Sequence, residues 1–99
     1  MEIMEVTLTP QEPARQVIAR IRRADEIVKK HGKSTLNLFK VDDHYETYGR
    51  DAVYVSQITG VRLNTRFKID MIEFTLTAAD IYFPKIVREG FKICVHENL

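Results

Sequence analysis

The sequence predicts an α/β fold: a single domain with three helices packed on a mixed five-stranded sheet, in the order α-β-β-α-β-β-α-β. Three observations predict it. Apolar residues recur at helical spacing through Val17, Ile21, Ala24 and Val28, the stripe of an amphipathic helix. Two β-prone runs flank the turn pair Asp42-Asp43, which implies an antiparallel hairpin. Gly32, Gly49, Gly60 and Gly90 fall between the periodic segments, where helices and strands must stop. The chain has 99 residues, 44% hydrophobic and 29% charged. That is one domain's length with enough apolar side chain for a core, and it excludes a disordered chain. The domain is expected to fill residues 1–99 with its core over about 12–97, with no linker, repeat or low-complexity run.

Each element follows in order. Thr9-Pro10-Gln11-Glu12 has the form of a capping box, and Pro13 offers a second opening for the first helix. Arg15, Arg22 and Lys29 lie opposite the apolar stripe. Lys29, Lys30 and His31 suit a last turn, and Gly32 supplies the left-handed residue that ends it. Thr35 to Val41 reads as a buried strand and His44 to Tyr48 as its partner. Asp51 to Thr59 reads as a short helix with Ala52, Val55 and Ile58 inward. Val61 to Thr65 and Lys68 to Phe74 read as a hairpin joined through Asn64 to Phe67. Thr77 is the predicted N-cap of the third helix, with Asp80 as its reciprocal partner. Ile81, Phe83, Ile86 and Val87 form that helix's apolar set, and Pro84 is expected to bend or shorten it. Phe91 to His96 is the last strand.

Charge narrows the function less than it narrows the fold. A net charge of +1 is not the footprint of a strongly basic nucleic-acid binder. Its distribution is uneven: eight Lys or Arg stand against Asp25 and Glu26 between Arg15 and Lys40. Between Val41 and Gly60, Asp42, Asp43, Glu46 and Asp51 face Arg50 alone. A single cysteine, Cys94, excludes an internal disulfide and reads as a buried structural thiol in a cytoplasmic protein. Neither a signal peptide nor a membrane-spanning stretch is expected.

Several motifs resemble chemistry. His31-Gly32-Lys33-Ser34-Thr35 looks like the tail of a phosphate loop, but Ile27 stands where the first glycine belongs and a helix precedes it; no cofactor is expected. The acidic cluster Asp42, Asp43, Glu46 and Asp51, with Lys40 and His44 beside it, has the residue types of a Mg²⁺ nuclease. Turn and helix-start chemistry explain the same residues, so no metal is expected. His31, His44 and His96 show no ligand spacing. The Arg15, Arg22, Lys29 stripe suits either phosphates or a solvated helix face.

The stretch Leu38-Phe39-Lys40-Val41-Asp42-Asp43-His44-Tyr45-Glu46-Thr47-Tyr48-Gly49-Arg50-Asp51-Ala52 resembles the mismatch-recognition segment of the MutS family. There a strand runs into Gly-Asp-Phe-Tyr-Glu, then an aromatic residue, then an acidic residue and Ala. Ile72-Glu73-Phe74-Thr75, the run from Tyr82 to Gly90, and the run from Phe91 to Glu97 resemble the closing segment of that domain. The two halves in this order and spacing carry the resemblance, over about residues 12–97. It implies a module that binds double-stranded DNA, mismatched or distorted, inside or beside a larger DNA-processing protein, and that is not an enzyme. The family's ring stacks on the mispaired base from the minor groove, and its Glu bonds that base. By position these roles fall to His44 and Glu46, with Lys40 nearby and Tyr45 turned into the core. The chain departs from the family at two of these positions, with His44 in place of Phe and Asp42 in place of Gly. The alternative is a scaffold or protein-interaction domain that keeps the fold and has lost DNA reading.

Overall fold

A computed structural model describes residues 14–97. The capping box at Thr9 and the opening at Pro13 lie outside the described residues. Helix α1 (Ala14–His31) lays Val17 on the sheet, with Ile21 and Ala24 partly buried beside it. Gly32, at φ +98°, donates its N–H to the Val28 carbonyl at 2.8 Å and ends the helix as expected. Strands β1 (Thr35–Val41) and β2 (His44–Tyr48) form the predicted hairpin, with Phe39 opposite Glu46 and Val41 opposite His44. Helix α2 (Gly49–Thr59) follows β2 without a loop, two residues earlier than predicted. Gly49, at φ +61°, turns the chain from strand into helix, so the residue read as a break is the first of the helix.

The second hairpin is shifted. Strand β3 is Asn64–Arg66 and β4 is Ile69–Thr75. Phe67 and Lys68 form a two-residue turn, so Arg66 pairs with Ile69, and Val61 to Leu63 lie outside the strand. Strand β4 then passes directly into α3 (Leu76–Arg88). The N-cap is Thr75 and not Thr77: the Thr75 hydroxyl accepts the Ala78 N–H at 3.1 Å. The inward face runs through Ala79 and Ile86, with Tyr82 and Phe83 packed beside them. Ile81, 61% exposed, and Val87 therefore point outward, against the sequence reading. The helix also runs on through Pro84. Strand β5 (Lys92–His96) pairs parallel to β1, which makes the sheet mixed, in the order β3-β4-β2-β1-β5. Cys94 is only partly buried.

Alternation along the strands divides the side chains between two layers. Leu36, Leu38, Ile72 and Phe74 meet Ala52, Val55, Ala79 and Ile86 of α2 and α3. Phe39, Tyr48 and Met71 meet Val17 of α1 on the other face. Among the described residues no helix is long and apolar enough to cross a membrane.

Candidate nucleic-acid interface

The strand period places His44, Glu46 and Tyr48 on the α1 side of the sheet, with Glu73 opposite Glu46 on β4. Glu46 is the centre of what gathers there. It is 2% exposed, and a carboxylate at that depth stays ionised only with several partners. Its Oε1 accepts from the Tyr48 hydroxyl and from Arg66 Nη1 at 3.2 Å, and Arg20 Nη1 stands 3.7 Å away. Its Oε2 lies 2.6 Å from His44 Nε2. Arg20 also donates to the Tyr48 hydroxyl at 3.0 Å. Burial pushes Glu46 toward the neutral form. The bonds from Tyr48 and His44 and the charge of Arg66 outweigh that and hold it below the usual carboxylate value. Burial and the Glu46 charge push the Tyr48 hydroxyl well above its ordinary value, so it stays a donor.

His44 sits at the head of β2 with its side chain 26% exposed. Its Nδ1 lies 3.4 Å from Asp43 Oδ1, and its Nε2 lies 3.9 Å from Glu73 Oε2. Burial favours the neutral ring, but the bonds to Glu46 and Asp43 and the charges of Glu46 and Glu73 prevail and raise its pKa above 6.5. The ring is held at both nitrogens by carboxylates that favour its charged form, with part of its surface facing solvent.

The candidate residues are brought together only in part. His44 and Glu46 touch. Lys40 is paired with Tyr45, and the pleat sends both to the α2/α3 side, away from His44. Tyr45 packs there as expected, its ring centroid 5.2 Å from that of Phe83. The acidic cluster is dispersed. Asp42 and Asp43 are exposed in the turn, and Asp42 holds φ +56° where the family has Gly. Asp51 is buried; its Oδ2 accepts the Asn37 backbone N–H at 3.0 Å and the Asn37 side-chain amide at 3.1 Å. It ties α2 to β1. Among the described residues, the metal-ligand types that do converge are His44, Glu46 and Glu73. Arg66 lies 3.2 Å from Glu46 and 3.9 Å from Glu73, so a guanidinium already serves those carboxylates.

Sequence reasoning missed Arg20 and Arg66. Arg20 carried a signal: it falls three residues after Val17 and four before Ala24, on the apolar stripe itself. A charged residue at such a position needs a buried partner of opposite sign. Arg66 carried none, because its reach to Glu46 depends on the pairing of β3 with β4.

The family model described as MutS domain I matches residues 25–99. The DNA mismatch repair protein MutS of Thermodesulfovibrio yellowstonii is 34% identical over 104 residues, covering 100% of this chain and 11% of that protein. The protein of the same name from Phocaeicola vulgatus is 32% identical over 100 residues, 96% of this chain and 10% of the relative. That of Porphyromonas gingivalis is 34% identical over 84 residues, 80% of this chain and 9% of the relative. The chain spans about a tenth of the length of the curated relatives it matches.

Proposed function

The chain belongs to the MutS domain I family, and from that premise we propose that it is a DNA-binding module for duplexes that are mismatched or otherwise distorted. It binds and does not catalyse, and it works in the cytoplasm within or beside a larger DNA-processing protein. The relatives' name, DNA mismatch repair protein, supports the ligand class. One observation carries the reading to a site: the His44 ring, in the position of the family's stacking residue, is part-exposed at the head of β2 and fixed by the Glu46 carboxylate at 2.6 Å.

In this reading His44 stacks on an unstacked base and its positive charge adds attraction to the phosphate-rich groove. Glu46 is committed to Tyr48, Arg66 and His44. It acts as a positioning residue for the ring, a different use from the base contact that the resemblance implies. The net charge of +1 leaves few phosphate contacts, so affinity for duplex is weak, about 10⁻⁴–10⁻⁶ M at physiological salt.

The test is fluorescence anisotropy with matched and mismatched duplexes at fixed salt across pH 6 to 9. Affinity is expected to fall as pH rises through the raised His44 pKa, which places the loss above pH 6.5. His44→Ala should abolish that dependence and weaken binding by about 1–3 kcal/mol, the range for a lost base–ring stack. His44→Phe should abolish it while raising preference for the mismatch. Binding of His44→Ala equal to wild type at both ends of the range would defeat the site and favour the second reading, a scaffold domain that has lost DNA contact. The observation on that side is the sealed Glu46, together with Ile81 and Val87 turned outward on α3.

A further inference from the structure

The β3–β4 turn holds residues that its backbone does not favour. Phe67 has φ +52° and Lys68 φ +62°. Two-residue hairpin turns with both central residues left-handed are the province of Asn-Gly and Asp-Gly. A bulky aromatic at positive φ is an outlier. Packing does not compensate: Phe67 is 48% exposed and its ring belongs to neither core cluster. A strained backbone that presents a side chain to solvent is the usual mark of a site where local stability has been given up for a contact. The surroundings indicate the contact. Lys68, next to the ring, is exposed and makes no ion pair among the described residues. Arg66, the residue before the turn, is held by Glu46 and Glu73, and the exposed acid beside the turn is Asp70. An outward ring beside a free cation matches an unstacked base beside a phosphate.

We propose that the β3–β4 turn is a second DNA contact, in which Phe67 stacks on an unpaired base and Lys68 meets a neighbouring phosphate. It rests on the DNA-binding reading above. The turn lies at the opposite end of β4 from Thr75, which pairs with His44. Six strand steps at about 3.3 Å give about 20 Å between the two contacts. At 3.4 Å per nucleotide that spans about six base pairs.

The experiment compares wild type, Phe67→Asn, Phe67→Trp and Lys68→Ala for melting temperature and for anisotropy with a labelled duplex carrying two unpaired bases about six base pairs apart. Phe67→Asn suits a left-handed position, so it should melt a few degrees higher, about 2–5 °C. It should nevertheless bind about 5–150-fold more weakly. Phe67→Trp should retain binding and show quenching of its fluorescence by the base. Lys68→Ala should lower the slope of log K against log salt by about one. If Phe67→Asn binds as wild type does while the pH-dependent binding through His44 persists, the turn is no contact and the domain reading survives. If Phe67→Asn melts no higher than wild type, Phe67 is not held at a cost and the inference fails. If wild type binds no duplex at millimolar concentration, both readings fall together.

Discussion

On the α2/α3 side the sheet presents Leu36, Leu38, Ile72 and Phe74 to a layer of Ala52, Val55 and Ile86, all fully or nearly buried. On the α1 side it presents Phe39, Tyr48 and Met71 to Val17, and beside them Asn37, Glu46 and Arg20, which are equally buried and polar. Burying a Leu or Ile side chain stabilises a fold by about 1.5–3 kcal/mol each. A buried ion-pair network often contributes no more than apolar residues of the same shape, because desolvation offsets the attraction. The first face therefore accounts for folding. The second keeps charges that folding does not require, and it is where the ring of His44 is set. Interior polarity, more than surface charge, is what distinguishes the two faces.

The largest expected effect would break the comparison at its apolar side. Leu38→Ala should cost about 2–5 kcal/mol in urea unfolding, equally at pH 6 and pH 8, because neither His44 nor His96 belongs to that layer. A pH-dependent loss would mean that the faces are not separable. The α1 face should behave in the opposite way. His44 has a raised pKa, so its stabilisation is complete below pH 6.5 and is lost as pH rises through the folded value. His96 works in the other direction: burial, with a smaller effect of the Arg23 charge, lowers its pKa, so its contribution is lost as pH falls below 6.5. The windows do not overlap. Wild-type stability should thus decline above pH 6.5. Glu46→Gln should flatten that decline while costing about 1–3 kcal/mol overall. Glu46 itself, lowered from 4.5, adds stability that disappears only in acid. A Glu46→Gln protein with the wild-type slope would show that His44 draws its charge from elsewhere. The smallest effect concerns the junction that feeds both faces. Thr75→Ala should cost about 1 kcal/mol as a lost N-cap, and Thr77→Ala should lie within about 0.5 kcal/mol of wild type. Thermal melts of the two variants would distinguish them.

What could be read without coordinates followed the same division. The helical stripe of Val17, Ile21 and Ala24, the hairpin around Asp42-Asp43 and the order of eight elements rest on local periodicity and turn chemistry, and these are as predicted. Errors arose where one local signal competed with another. Thr75 and Thr77 are equally good caps by composition; strand β4, running on to Thr75, settles the matter through its pairing with His44. Ile81 and Val87 lie about 140° and about 100° around the helix from Ile86, off the stripe of Ala79, Tyr82, Phe83 and Ile86, so the helical period itself sets them outward. Half of the candidate site was legible, since the period of two sets His44 and Glu46 on one face; Lys40, grouped with them in the sequence, lies on the other through its pairing with Tyr45. The remainder is long-range. That Glu46 is sealed depends on Arg20 from α1 and Arg66 from β3, which are 26 and 20 residues away along the chain.

The parallel seam between β1 and β5 bears on how this domain comes into being. Strand β1 lies between β2 and β5, with Leu36 opposite Ile93 and Leu38 opposite Val95. The first strand made is therefore completed by the last. During synthesis the α1–β4 portion leaves the ribosome with one edge of β1 unsatisfied, and its Leu36-Asn37-Leu38-Phe39 run lies in the longest buried stretch of any strand among the described residues. An open apolar edge is a template for association with other chains. Chain growth cannot lock the structure step by step from the N-terminus. A nascent chain arrested before Lys92 would be a client for chaperones, and docking of residues 92–96 is the event that closes the sheet.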